Sequence, residues 1–144
     1  MTTNRDMIGS AGPPGHAWFE IVRRPTEAAF AAAFASGVVL DTSIASRPIV
    51  GPEGLWHFFE ASRSMYDTIR FSRETSAGLR TCLEWEGKFR GRDIAGATIL
   101  GFNTDGAIES IQLFHRPYEQ VIAYSAELGC RLKGKIDPSI FAER

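Results

Sequence analysis

The chain has 144 residues, of which 44% are hydrophobic and 23% charged, and its formal net charge is −1. A chain of that length predicts one domain with a sizeable core, and that charge leaves no electrostatic footprint for nucleic acid or an anionic membrane. No apolar run is long enough to span a bilayer, and the opening MTTNRDMIGSAGPPGHA lacks the apolar run of a signal peptide, so a cytoplasmic protein is expected. The two cysteines, Cys82 and Cys130, lack metal-ligand spacing. They read as free thiols of a reducing compartment, and neither a metal nor a cofactor is expected.

In chain order, Gly and Pro up to Gly15 predict a disordered tail over residues 1–15. The stretch from His16 to Arg23 is apolar at Trp18, Phe19, Ile21 and Val22, and its pattern fits a helix or a strand. Pro25 followed by TEAAFAAAFA predicts a helix, with Phe30 and Phe34 on one face and Gly37 at its end. Val38 to Leu40 read as a strand ending at Asp41, and a short extended piece broken by Pro48 follows. Pro52 then opens a second helix. Its apolar stripe takes in Leu55, Phe58, Phe59, Ser62 and Met65 or Tyr66. Ile69 to Arg73 read as a further strand. After Pro117 a last helix is predicted, with Tyr118, Val121, Ile122, Ser125 and Leu128 on its buried side. The main domain is placed at 16–132 and a polar C-terminal tail at 133–144.

The stretch between Leu79 and Pro117 organises the rest. It reads as three antiparallel strands joined by turns at Arg90–Asp93 and Asn103–Gly106, the second carrying an Asp-Gly pair that tolerates positive φ. A two-residue turn at Asp105-Gly106 pairs Phe102 with Glu109, Leu100 with Ile111, Thr98 with Leu113 and Gly96 with His115. Trp85 is then set against Thr98. Side chains alternate with period two. One face therefore carries Leu83, Trp85, Thr98, Leu100, Leu113 and His115, mostly apolar with a few polar groups, as in a pocket wall. The other carries Glu84, Glu86, Ala95, Ala97, Ile99, Phe114 and Arg116. Helices segregated from an antiparallel sheet mean α+β. The expected architecture is a strongly curved, mixed or antiparallel sheet wrapped around helices as a cone with an internal pocket.

FAAAFASGVVLD, RPIVGPEGLWHFFEA, LEWEG and NTDGAIESIQLFHRP, in that order, carry a resemblance covering roughly Trp18 to Leu128. The chain resembles the nuclear transport factor 2-like superfamily, the cystatin-like α+β cone shared by SnoaL-like polyketide cyclases, ketosteroid isomerases, scytalone dehydratases and limonene epoxide hydrolases. The resemblance implies a small-molecule-binding protein of the SnoaL-like type. Such a protein could be a cofactor-independent isomerase, dehydratase or cyclase acting on an apolar cyclic substrate. The alternative is a non-catalytic ligand-binding or dimerisation module of the same fold. Arg116 stands where relatives often carry an aspartate at the end of the last strand, and Leu113 stands where the epoxide hydrolases carry a catalytic one.

Three residues are candidates for catalysis. His115, on the inner face of the last strand, can serve as an acid or base near neutral pH, or can be a hydrogen-bonded core-edge histidine. Asp41 can join it at the pocket, or form a turn before Thr42 and Ser43. Tyr66 can donate to a carbonyl or enolate, or pack in the aromatic core with its hydroxyl at the rim. Trp56, Phe59, Trp85, Thr98 and Leu113 are the expected ligand-binding residues. Glu84 and Glu86 share the outer face and read as ion-pairing groups rather than a catalytic pair. The expected partners are a small apolar ligand and a second copy of the chain, docked through the outer sheet face.

Overall fold

The computed structural model describes residues 12–143. Most of the tail expected over 1–15 therefore lies outside the described residues. The elements are α1 (His16–Val22), α2 (Glu27–Ala31), β1 (Phe34–Thr42), β2 (Ile49–Val50), α3 (Pro52–Ser62), β3 (Thr68–Ala77), β4 (Arg80–Phe89), β5 (Arg92–Phe102), β6 (Ile108–Arg116) and α4 (Tyr118–Arg131), followed by a 3₁₀ turn at Pro138–Ile140. Six strands form one mixed sheet in the order β2-β1-β6-β5-β4-β3. All neighbours are antiparallel except β1 and β6, which run parallel. Register shifts in β1, at Phe71/Arg73 and at Gly101/Phe102 interrupt the ladders. Such shifts bend and twist strands, and they let the sheet curve around the helices. The result is an open α+β cone.

The region of the expected first helix divides in two. Thr26 caps α2 by accepting from the Ala29 N–H (3.0 Å), but the helix stops at Ala31. Phe34 already pairs with Ile108, and the Ile108 N–H donates to the Ala33 carbonyl (3.0 Å). Tertiary pairing overrides alanine's helix propensity here. Gly37 lies within β1, not at a helix end. Phe30 and Phe34 still meet, with ring centroids 4.7 Å apart, across the helix-to-strand junction.

Both hairpins keep the expected faces, each with one difference in detail. The first turn is only Arg90-Gly91, at φ 54° and 77°, as a tight two-residue turn needs. Trp85 is therefore opposite Gly96, and Leu83 opposite Thr98, two residues from the expected pairing. An even slip leaves every side chain on its own face. In the second hairpin Gly96–His115, Thr98–Leu113 and Leu100–Ile111 pair as expected. The turn itself is wider, because Asn103 Oδ1 accepts from the N–H groups of Asp105 and Ala107. A bulge then sets Phe102 against Ile108 rather than Glu109.

The last helix is rotated from its expected setting. Tyr118 and Ile122 are exposed, while Gln120, Tyr124, Ser125 and Leu128 are buried. Gln120 fixes this rotation: its amide donates to the Phe89 and Arg92 carbonyls, on either side of the first turn. Beyond Leu132 the polar stretch folds back and buries Ile140 and Phe141. The Ile140 carbonyl accepts from Ser46 N–H (2.8 Å), and Ser125 Oγ accepts from Ala142 N–H (2.8 Å).

Candidate functional site

The sheet's inner face, α1 and the end of α3 enclose a cavity of about 280 Å³. Trp18, Phe19 and Val22 of α1 form one wall, Phe59 and Ser62 of α3 another, and Ile69, Phe71, Trp85, Thr98 and Leu113 the sheet side. Gly15 makes this wall possible. It caps α1 at φ 78°, and a Cβ there would lie 2.5 Å from the Phe71 ring. Its N–H donates to the Glu74 carboxylate (3.0 Å), which ties the start of α1 to β3.

One corner of this apolar space is polar. Tyr66 lines the cavity, and its hydroxyl lies 2.9 Å from His115 Nε2. His115 stands behind it, 7% exposed, with the Trp85 ring edge-on at 5.1 Å and the Tyr124 ring at 4.9 Å. The Tyr124 hydroxyl donates to the Ser62 carbonyl (3.3 Å). Ser43 Oγ accepts from the His115 backbone N–H (2.9 Å) and anchors the end of β6. Burial pushes the His115 pKa down to about 3 and the Tyr66 phenol well above its usual value. Both groups are therefore neutral at physiological pH.

His115 Nδ1 is buried without a hydrogen-bond partner. A bare lone pair is more often tolerated in a protein interior than an orphaned N–H. The proton accordingly belongs on Nε2, from which it is donated to the Tyr66 oxygen. Tyr66 then keeps its own hydrogen, with the Tyr124 hydroxyl as its neighbour within the protein. An O–H donor held at an apolar cavity can bind one carbonyl or hydroxyl oxygen. An imidazole with a pKa near 3 is not a general acid at neutral pH and has little driving force as a base.

Of the expected catalytic residues, Tyr66 and His115 come together and Asp41 does not. Val38 and Leu40 point into the core, so Asp41 faces outward and is exposed, beside Gln112 on β6. Tyr66 lies in the turn after α3, not on the helix. Gly96 leaves no hollow in the wall: the Trp85 indole lies over that glycine, where a Cβ would be 2.6 Å from the ring. Phe59, Trp85, Thr98 and Leu113 line the cavity, whereas Trp56 packs against Phe30 at 5.4 Å, away from it. Glu86 pairs with Arg70 and Glu84 with Arg73 on the outer face. Among the described residues no group of three or more His, Cys, Asp or Glu is placed to hold a metal ion.

The sequence pattern left α1 open between helix and strand and did not mark the two arginines of the rim, Arg23 and Arg63. Trp18 and Val22 are four apart, with Phe19 between, which is one face of a helix. That spacing was the available signal. No helix of the described residues is long and apolar enough to cross a membrane.

Solved structures of similar fold bear on the architecture. An uncharacterized protein with a cystatin-like fold from Silicibacter pomeroyi is similar at TM-score 0.73 and 21% identity, over 81% of this chain and 82% of that one. A steroid delta-isomerase from Pseudomonas aeruginosa is similar at TM-score 0.73 and 19% identity, over 81% and 87%. A SnoaL-like family protein from Agrobacterium tumefaciens is similar at TM-score 0.55 and 18% identity, over 72% and 94%. The chain thus has a cystatin-like α+β fold. No family model and no curated protein matches it.

Proposed function

We propose that this protein binds a small, mostly apolar molecule in the cone and hydrogen-bonds one oxygen of it through Tyr66. The observation carrying this reading is the Tyr66–His115 pair, held at 2.9 Å beside a cavity otherwise walled by apolar side chains. The volume is on the order of that of ten waters, at roughly 30 Å³ each. A bicyclic ring system is of that size.

A second reading, a cofactor-free isomerase or related enzyme, draws on the likeness to the Pseudomonas aeruginosa steroid delta-isomerase and on Tyr66 as a donor to an enolate oxygen. It is the weaker reading, because among the described residues no carboxylate lines the cavity to move a proton. The test compares 2-naphthol with naphthalene by calorimetry and thermal shift. The expected result is binding of both, with 2-naphthol favoured about tenfold, the worth of one good buried hydrogen bond. Tyr66→Phe should remove that preference and leave naphthalene binding in place. Equal affinity for the two compounds in the wild type would overturn the role of Tyr66.

A further inference from the structure

We propose that the mouth of the cavity is an anion site formed by Arg23 and Arg63, so that the ligand is an amphipathic organic anion with its ring body inside and a carboxylate at the rim. This inference rests on the cavity reading above and adds the ligand's charge to it.

Among the described residues, Arg23 and Arg63 are the charged ones lining the cavity. They come from different elements and are brought to one side of the mouth by a specific contact. Arg63 Nη1 donates to the Val22 carbonyl (2.7 Å), and Val22 immediately precedes Arg23. That carbonyl lies at the C-terminal end of α1, where the helix presents partial negative charge, so the contact fixes the direction of the Arg63 side chain. One of its terminal nitrogens is thereby engaged, and the rest of the guanidinium remains able to donate.

The charges at this rim do not balance. Arg23 meets Glu20 at 3.3 Å, an exposed pair of small energetic value. Arg63 has no carboxylate partner within 4.0 Å among the described residues. Two guanidiniums and one carboxylate leave about one positive charge at the entrance of an apolar cavity, in a chain whose net charge is −1. The excess is local, and it does not follow from the overall composition. Two planar donors flanking an opening suit the two oxygens of a carboxylate. The apolar wall behind them suits the rest of such a molecule. A free inorganic anion would gain nothing from that wall, and a neutral ligand would gain nothing from the arginines.

The test uses 6-hydroxy-2-naphthoate against 2-naphthol, which share the ring body and the hydroxyl and differ by the carboxylate. By calorimetry at 50 mM salt the acid should bind about tenfold more tightly. The preference should shrink at 500 mM salt, because exposed charges are screened. Arg23→Gln and Arg63→Gln should each reduce it to about threefold or less without changing the affinity for 2-naphthol. Should R63Q also lose 2-naphthol, the substitution has displaced α1, and R23Q decides the matter. Equal or weaker binding of the acid, or a preference unchanged in both variants, overturns the anion site and leaves the cavity reading standing. Failure of both compounds to bind the wild-type chain sinks both.

Discussion

His115 makes acid sensitivity a quantitative test of the site. In the folded chain its pKa is about 3, because burial disfavours the imidazolium; unfolded, it titrates near the usual value of roughly 6.5. Between those values the unfolded state binds the extra proton, so stability falls as pH falls. The contribution is intact above about pH 7 and is lost progressively towards pH 3. At pH 5 the proton is taken up about 1.5 units below the unfolded pKa, which costs about 2 kcal/mol at roughly 1.4 kcal/mol per unit. His115→Gln removes this term. At pH 7.5 the variant should be less stable by about 1–3 kcal/mol, the cost of disturbing a buried hydrogen bond. At pH 5 the gap should close by about 2 kcal/mol. Every other ionisable group is common to both proteins and cancels in the difference. Urea unfolding of both chains between pH 4.5 and 8 measures it, with NMR titration of the imidazole as a check. A constant difference across that range, or an imidazole titrating near 6.5 in the folded chain, would refute the dry, neutral histidine on which the site is built.

The remaining predictions concern packing and assembly. Trp85→Ala should cost about 3–5 kcal/mol, since the indole is 3% exposed between Tyr66, His115 and Gly96; Glu84→Ala, on the outer face, should cost well under half of that by chemical denaturation. Gly96→Ala should be about as damaging as an overpacked core substitution, about 1–3 kcal/mol or more, because its Cβ would meet the Phe114 carbonyl oxygen at 1.9 Å; an unchanged melting temperature would show that the strand yields there. The outer sheet face presents Phe114 at 42% exposure beside Ile99, Ala95 and Ala97, and we expect it to pair with a second copy about a two-fold axis. Light scattering should give a dimer mass at tens of micromolar and a monomer for Phe114→Glu; a monomeric wild type would sink the expectation.

What could be read from the sequence depended on parity. The inner face of β4, β5 and β6 was legible because alternation survives any even error in pairing. Trp85 stayed inside although its partner is Gly96 and not Thr98. The same rule, applied to β1, would have placed Asp41 outside, since Val38 and Leu40 must both be in. The consequence of the slip lay in the third dimension. With Trp85 over Gly96, the space beside His115 is taken by an indole, and the imidazole becomes a support for Tyr66.

The helices were less legible, for a related reason. A strand's faces follow from its own residues, but a short helix takes its setting from what it packs against. α1 has seven residues, too few for its pattern to be decisive alone, and contacts with Phe59, Phe71, Glu74 and Arg63 fix it over the cavity. In α4 the hydrogen bonds of Gln120 outweigh the burial of Tyr118 and Ile122. Thus the part of the site that gives shape, the sheet wall, was written locally. The part that gives chemical preference was not: Tyr66 in a turn, and Arg23 and Arg63 at helix ends, are brought to the cavity by tertiary contacts. For a fold whose neighbours share only 19–21% identity at TM-score 0.73, selectivity is therefore to be sought at those element ends, where a substitution changes the ligand without disturbing the sheet.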